Sequence, residues 1–144
     1  MRTWALLAAG ALNFYLLGVM VLFATVVYPQ FGSVDRAAFP SLYQAFTARI
    51  PVPVVLFEFL AFFSTLVLYA ARPEGVPAWL VHAVVALGVG YFAITFGWHL
   101  PTHAVLGTGD NSPEVVGRLL ASQWARTGLH LARVALLCWA LALR

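Results

Sequence analysis

The sequence predicts an all-α membrane protein: an antiparallel bundle of four transmembrane helices with an interfacial amphipathic helix in its first loop. Three observations predict it. Of 144 residues, 62% are hydrophobic and only 9% charged, whereas a soluble domain carries about 25% charged residues. Apolar windows of membrane-spanning length occur at Trp4–Tyr28, Val52–Ala71, Trp79–Leu100 and Gln123–Leu143. Between the first two, apolar residues recur at helical spacing. Eight basic and five acidic side chains cannot cover a water-facing surface, which excludes an ordinary soluble enzyme, a disordered chain and a disulfide-stapled secreted module. One domain is expected over residues 1–144.

Each element has its punctuation. The first window is much longer than a signal-peptide core and reads as a retained helix, closed by Tyr28-Pro29. Phe39, Leu42, Tyr43, Phe46 and Ile50 mark an amphipathic helix over Pro40–Arg49 that lies on the membrane surface. Pro51 and Pro53 open the second span, Arg72-Pro73-Glu74-Gly75 turns the chain, and Pro101 ends the third span. Ser112-Pro113-Glu114 reads as cap, first position and acidic first turn, so the last helix begins near Pro113. Hydrocarbon offers no partner to a free amide, so the spans must be helical. An even number of them puts both termini on one side, with a bacterial inner membrane as the expected location. The arginines are spread too evenly between the two sides for the positive-inside rule to set an orientation.

Polar residues inside the spans carry the functional information. Gln123, Arg126, Thr127, His130 and Arg133 recur at steps of three and four and share one stripe of the last helix. A central arginine costs about 2.5–3.5 kcal/mol to insert, and each leucine returns roughly 0.3–0.6. The six leucines of that span therefore just offset Arg133, and the stripe must face protein. Glu58, the one acid within a span, is the natural partner of Arg133 or Arg126, and pairing as simple glue between helices is the plain alternative to a site. His99 and His103 at the end of the third span and Tyr28 at the end of the first belong to the same half of the membrane, bordered by the long loops. Asn13, His82 and Tyr69 fall in the other half. One carboxylate facing two arginines and a histidine leaves donors over, which points to an oxygen-bearing ligand, a lipid headgroup or water as acceptor.

Other chemistries are less well served. No basic cluster tracks a phosphate backbone, so nucleic acid is not an expected partner. Cys138 stands alone and cannot form an internal disulfide. A metal set of Glu58, His103 and His99 or His130 is the lesser reading, because Pro101 interrupts the histidine spacing; no metal ligand is assigned. His99 and His130 differ by about 10 Å in depth, which disfavours bis-histidine haem, and no cofactor is assigned. Trp4, Trp79 and Trp139 read as interfacial belt residues, and Gly88 and Gly90 as close-packing positions.

Tyr28-Pro29-x-Phe31, Phe39 and Tyr43, Glu58, Pro101-x-His103-x-x-Leu106-x-x-Gly109, and Trp124-x-Arg126-Thr127 followed by Arg133 together resemble a family of small uncharacterised bacterial four-helix membrane proteins. More distantly, the Pro101–Leu106 element and the last helix are similar to the anthrone-oxygenase-related membrane family. The likeness implies sites at Glu58, His103, Trp124, Arg126 and Arg133, and the distant one implies oxidation of a reduced polycyclic phenol. Such relatives carry histidines where this chain has Gln44 and Thr47, and an aromatic at the position of His130.

The expectation is a pocket, roofed by the amphipathic helix, that binds a small amphipathic molecule such as a quinone, phenol or lipid. Tyr28, Trp124, Arg126 and Arg133 would bind it; Glu58, His103 and His130 would move protons if the protein is an enzyme. A membrane oxidoreductase or oxygenase and a non-catalytic accessory subunit are the alternatives. Membrane lipid and the ligand are the expected partners, with room for a homo-oligomer or a larger membrane complex.

Overall fold

The computed structural model describes residues 2–143 and is all-helical. Five helices follow one another: α1 (Arg2–Phe31), α2 (Phe39–Thr47), α3 (Pro51–Val67), α4 (Ala78–Gly107) and α5 (Pro113–Ala142). Among the described residues, α1 and α4 are each long and apolar enough to cross a membrane; α2 and α3, bent by 43°, qualify as a third span if taken together. α5 falls outside that set, because Arg126, His130 and Arg133 interrupt its apolar run. At 30 residues it is about 45 Å long against a hydrocarbon core of about 30 Å.

Proline shapes these helices differently from the expectation. Pro101 does not end the third span: α4 runs on to Gly107. α1 likewise passes Pro29 and ends at Phe31. A helical proline lacks its amide and crowds the carbonyl four residues back. Each of these prolines is preceded by a widened π-turn, Phe23–Val27 before Pro29 and Thr95–His99 before Pro101. Pro51 and Pro53 sit inside a third, Pro51–Leu56. The wider turn absorbs the crowding, and hydroxyls bond to nearby carbonyls: Thr25 Oγ1 donates to Val21 O at 2.7 Å and Tyr15 Oη to Pro53 O at 2.9 Å. π-turns in otherwise regular helices concentrate at functional sites.

α5 packs along α1 and α4, and α3 closes against α1 and α4. Two apolar cores lie at opposite ends. One gathers Leu6, Leu68, Leu80, Val84 and Leu137; the other gathers Tyr28, Phe31, Phe39, Tyr43, Leu106 and Leu119. Phe39 and Tyr43 anchor α2 into the second core while Leu42 faces outward, so its apolar arc is narrower than periodicity suggested. Asn111 ties the loops together by donating to Phe31 O and Val34 O at 2.9 and 2.8 Å. Beside it, the Ser112 amide bonds Asp110 Oδ1 at 3.0 Å and holds that carboxyl below its ordinary pKa. Ser112 is the cap residue but its side chain makes no capping bond. At the other end, Gly75 turns the chain with φ +88°, and Trp79 packs edge-on against the exposed Trp139.

Gly88 matters more than Gly90. A Cβ at Gly88 would meet Phe62 Cδ2 at 2.8 Å and Arg133 Cζ at 3.3 Å, whereas one at Gly90 would rest 3.5 Å from Leu129. Gly88→Ala is therefore expected to cost about 1–3 kcal/mol by overpacking. Gly90→Ala should be neutral or gain about 0.5 kcal/mol from reduced chain entropy. Reversible unfolding in mixed micelles, followed by circular dichroism, reads both; equal effects at the two positions would contradict this packing.

Candidate functional site

Between the two apolar cores lies a layer of buried polar side chains. It is built on helical stripes: Tyr91, Thr95, His99 and Thr102 on α4, and Ser122, Gln123, Arg126, His130 and Arg133 on α5, with Glu58 from α3 and Asn13 from α1. Arg126 Nη2 donates to Glu58 Oε1 at 2.5 Å. The Tyr91 hydroxyl donates to the same carboxylate oxygen and accepts from Arg126 Nη2. The guanidinium also stands 4.6 Å from the Tyr91 ring centre, a cation–π distance. Arg126 Nη1 donates to Gln123 Oε1 at 3.2 Å, and Gln123 Nε2 to Met20 O at 3.1 Å, so the cluster is tied to α1. Glu58 and Arg126 are 7% and 4% exposed. A buried pair of this kind is favourable when its remaining lone pairs and protons are occupied; here Arg126 Nε is left without a partner.

One face of this cluster forms the wall of a cavity of about 250 Å³. Its polar lining includes Glu58, Arg126, Gln123, Tyr28, His99 and His103; Tyr43 and Phe46 of α2 cover it. All three π-turns border it, through Phe23, Val54 and His99 among others. An apolar groove of about 590 Å³ adjoins it between α1, α2 and α3. Val19, Phe23, Phe46, Ile50 and Val54 line both, so the two are continuous.

Opposite the acid–base pair, rings from three helices converge. His99 Nε2 and His103 Nε2 lie 3.1 Å apart, and Tyr28 Oη lies 3.3 Å from each. Tyr43 Oη lies 2.7 Å from His103 Nδ1 and donates to His103 O at 2.8 Å. His99 Nδ1 lies 2.8 Å from Ser122 Oγ. Among the described residues no group of three His, Cys, Asp or Glu side chains is placed to hold a metal ion, so the set of the lesser reading, Glu58 and His103 with His99 or His130, does not form.

The structure brings Glu58, Arg126, His103 and Tyr28 to one cavity and leaves three expected site residues outside it. Arg133 is not the partner of Glu58: it lies two turns further along α5, 1% exposed, with Nε and Nη2 unpartnered. Its guanidinium rests on Gly88. His130 sits one turn beyond Arg126, and its Nε2 donates to Asn13 O at 3.0 Å. Asn13 therefore belongs to the polar layer rather than to the opposite half of the membrane. Its side chain also donates to Ala9 O and Ala61 O, at 2.8 and 3.5 Å. Trp124 is 50% exposed on the outer surface of α5 and does not wall the cavity; at 100° per residue it stands about 200° from Arg126. Tyr69 and His82 bond each other at 3.0 Å on the outside. Tyr91 and Ser122 were not anticipated. The α4 signal for Tyr91 was present as the 91, 95, 99, 102 spacing of polar side chains.

Compared with protein-family models, curated proteins and solved structures, the chain matches none.

Proposed function

We propose that this chain is an antiparallel four-helix membrane bundle that binds a small amphipathic, oxygen-bearing molecule in the cavity beside Glu58 and Arg126. The four-span reading is supported by α5 burying its polar stripe against protein. It is also supported by the contacts of Arg2 with Glu74 and Tyr15 with Pro53, which set α1 and α3 in opposite senses. Both termini then lie on one side, and a bacterial inner membrane is the compartment we assign.

The binding reading is carried by one observation: a buried acid–base pair at the wall of a cavity that continues into an apolar groove. A ligand site of mostly apolar lining with a few convergent polar groups has this form. The groove accepts an apolar tail, and the cavity accepts a ring or head. Glu58 already neutralises Arg126, so an anionic head would find no free cation on the wall. That favours a quinone or phenol, whose oxygens need hydrogen bonds rather than counter-charge, over a phosphate or carboxylate lipid. Membrane oxidoreduction of a phenol is the second reading, favoured by the Tyr28–His99–His103 cluster, whose ring nitrogens can accept a hydrogen bond from a phenol.

Intact protein in lipid nanodiscs should bind decyl-benzoquinone saturably, as read by native mass spectrometry and equilibrium partition. Glu58→Gln should weaken binding by about tenfold, near 1.4 kcal/mol. Unchanged affinity would contradict the reading. Conversion of added decyl-benzohydroquinone to the quinone with consumption of dioxygen, the electron acceptor, would favour the enzyme over a non-catalytic accessory subunit.

A further inference from the structure

We infer that Tyr28, His99 and His103 form one face of a binding site for a divalent first-row transition-metal ion. The inference does not depend on what the cavity binds. It rests on the spacing of three donor atoms and on a proton inventory.

Metal–imidazole bonds of about 2.0–2.1 Å at angles of 90–110° place neighbouring donors about 2.9–3.4 Å apart. The three pairs here measure 3.1, 3.3 and 3.3 Å. His99 and His103 are four residues apart on α4, the helical spacing at which two histidines share a metal. The helix reaches both because the Thr95–His99 π-turn carries it through Pro101.

The protons point the same way. Ser122 Oγ donates to Leu119 O at 2.8 Å, and that carbonyl can only accept. Assigning the hydroxyl proton to Leu119 O makes Ser122 Oγ the acceptor for His99 Nδ1–H at 2.8 Å. Assigning the Tyr43 proton to His103 O at 2.8 Å makes Tyr43 Oη the acceptor for His103 Nδ1–H at 2.7 Å. Both Nε2 atoms are left as lone pairs facing each other. Tyr28 has one proton to offer between them. A cation seated against the three atoms satisfies both lone pairs and the phenol oxygen together. The outer ring nitrogens are already held by oxygen acceptors, which is how metal-ligating histidines are oriented. Two imidazoles and a phenol oxygen suit iron, copper, zinc or cobalt rather than calcium or magnesium. Glu58 offsets the charge of Arg126 nearby, and loss of the Tyr28 proton to bulk on binding supplies a further negative charge. The remaining coordination positions face the cavity, which provides the entry path.

The test titrates the intact protein in nanodiscs with Co²⁺ alone, followed by visible absorption, with Zn²⁺ as competitor and a parallel thermal melt. One equivalent of Co²⁺ should bind, absorb in the visible region and be displaced by Zn²⁺. It should raise the melting temperature in proportion to the logarithm of its concentration. His99→Ala and His103→Ala should each lose at least about 100-fold in affinity, more than loss of a group that only orients a ligand costs. Tyr28→Phe, which keeps the ring packed against Phe23 and Phe31, should lose about tenfold and change the absorption intensity. It carries the test should the histidine variants fail to fold. His82→Ala should bind as the parent does. The inference is overturned by no saturable binding to the parent, which would leave a shared proton as the occupant. Binding that Tyr28→Phe leaves unaltered in affinity and spectrum would also overturn it.

Discussion

Arg126→Met is expected to destabilise the protein by about 3–5 kcal/mol, while Glu58→Leu combined with Arg126→Met should restore or exceed the parent stability. The physics lies in desolvation. Arg126 and Glu58 meet at 2.5 Å with almost no exposure, and removing one partner strands the other charge in a low-dielectric interior. Removing both eliminates the desolvation cost along with the attraction, and Leu and Met fill much of the vacated volume. Tyr91 then loses its acceptor, which limits the recovery by about 1 kcal/mol. Unfolding of the parent and these two variants in mixed micelles checks this. Equal destabilisation by the single and double changes would mean that shape, not charge, holds the cluster.

Arg133→Met is expected to act in the opposite direction, raising stability by about 1–4 kcal/mol. Arg133 is only 1% exposed, yet Nε and Nη2 have no partner. Glu58, the acid expected to answer it, is committed to Arg126. Methionine keeps the length and flexibility that fit the space beside Phe62 and Gly88 without the cost of a buried cation. The same unfolding assay gives the result. A loss of stability would show that Arg133 is held by interactions beyond those its neighbours provide.

These two arginines show what could be read from sequence and what could not. That both lie on a buried stripe followed from their spacing and from the cost of exposing them to lipid. Which of them meets Glu58 depends on the depth at which α3 and α5 each pack against α1 and α4, and packing alone sets that. The α4 histidines make a similar point. Their spacing of four was visible, but a proline between them argued against a continuous helix. The π-turn that relieves Pro101 is a backbone adjustment with no side-chain signature, and so is its counterpart before Pro29. Tyr91 was hidden for another reason: an uncharged aromatic in an apolar run looks like core until its hydroxyl is seen against Glu58. Asn13 joins the polar layer through its carbonyl, which accepts from His130, a backbone contact that residue type does not reveal. The exposure of Trp124 was readable from its phase relative to Arg126, and its likeness to a motif outweighed that phase.

The central claim is that the acid–base pair is kept for what it binds. Decyl-benzoquinone affinity of the Glu58→Leu, Arg126→Met double variant, measured in nanodiscs on protein shown to be folded, tests it most directly. The account predicts a stable protein that has lost at least about tenfold in affinity, or 1.4 kcal/mol. A stable double variant that binds the quinone as tightly as the parent would contradict it and leave the pair as a fastening between helices.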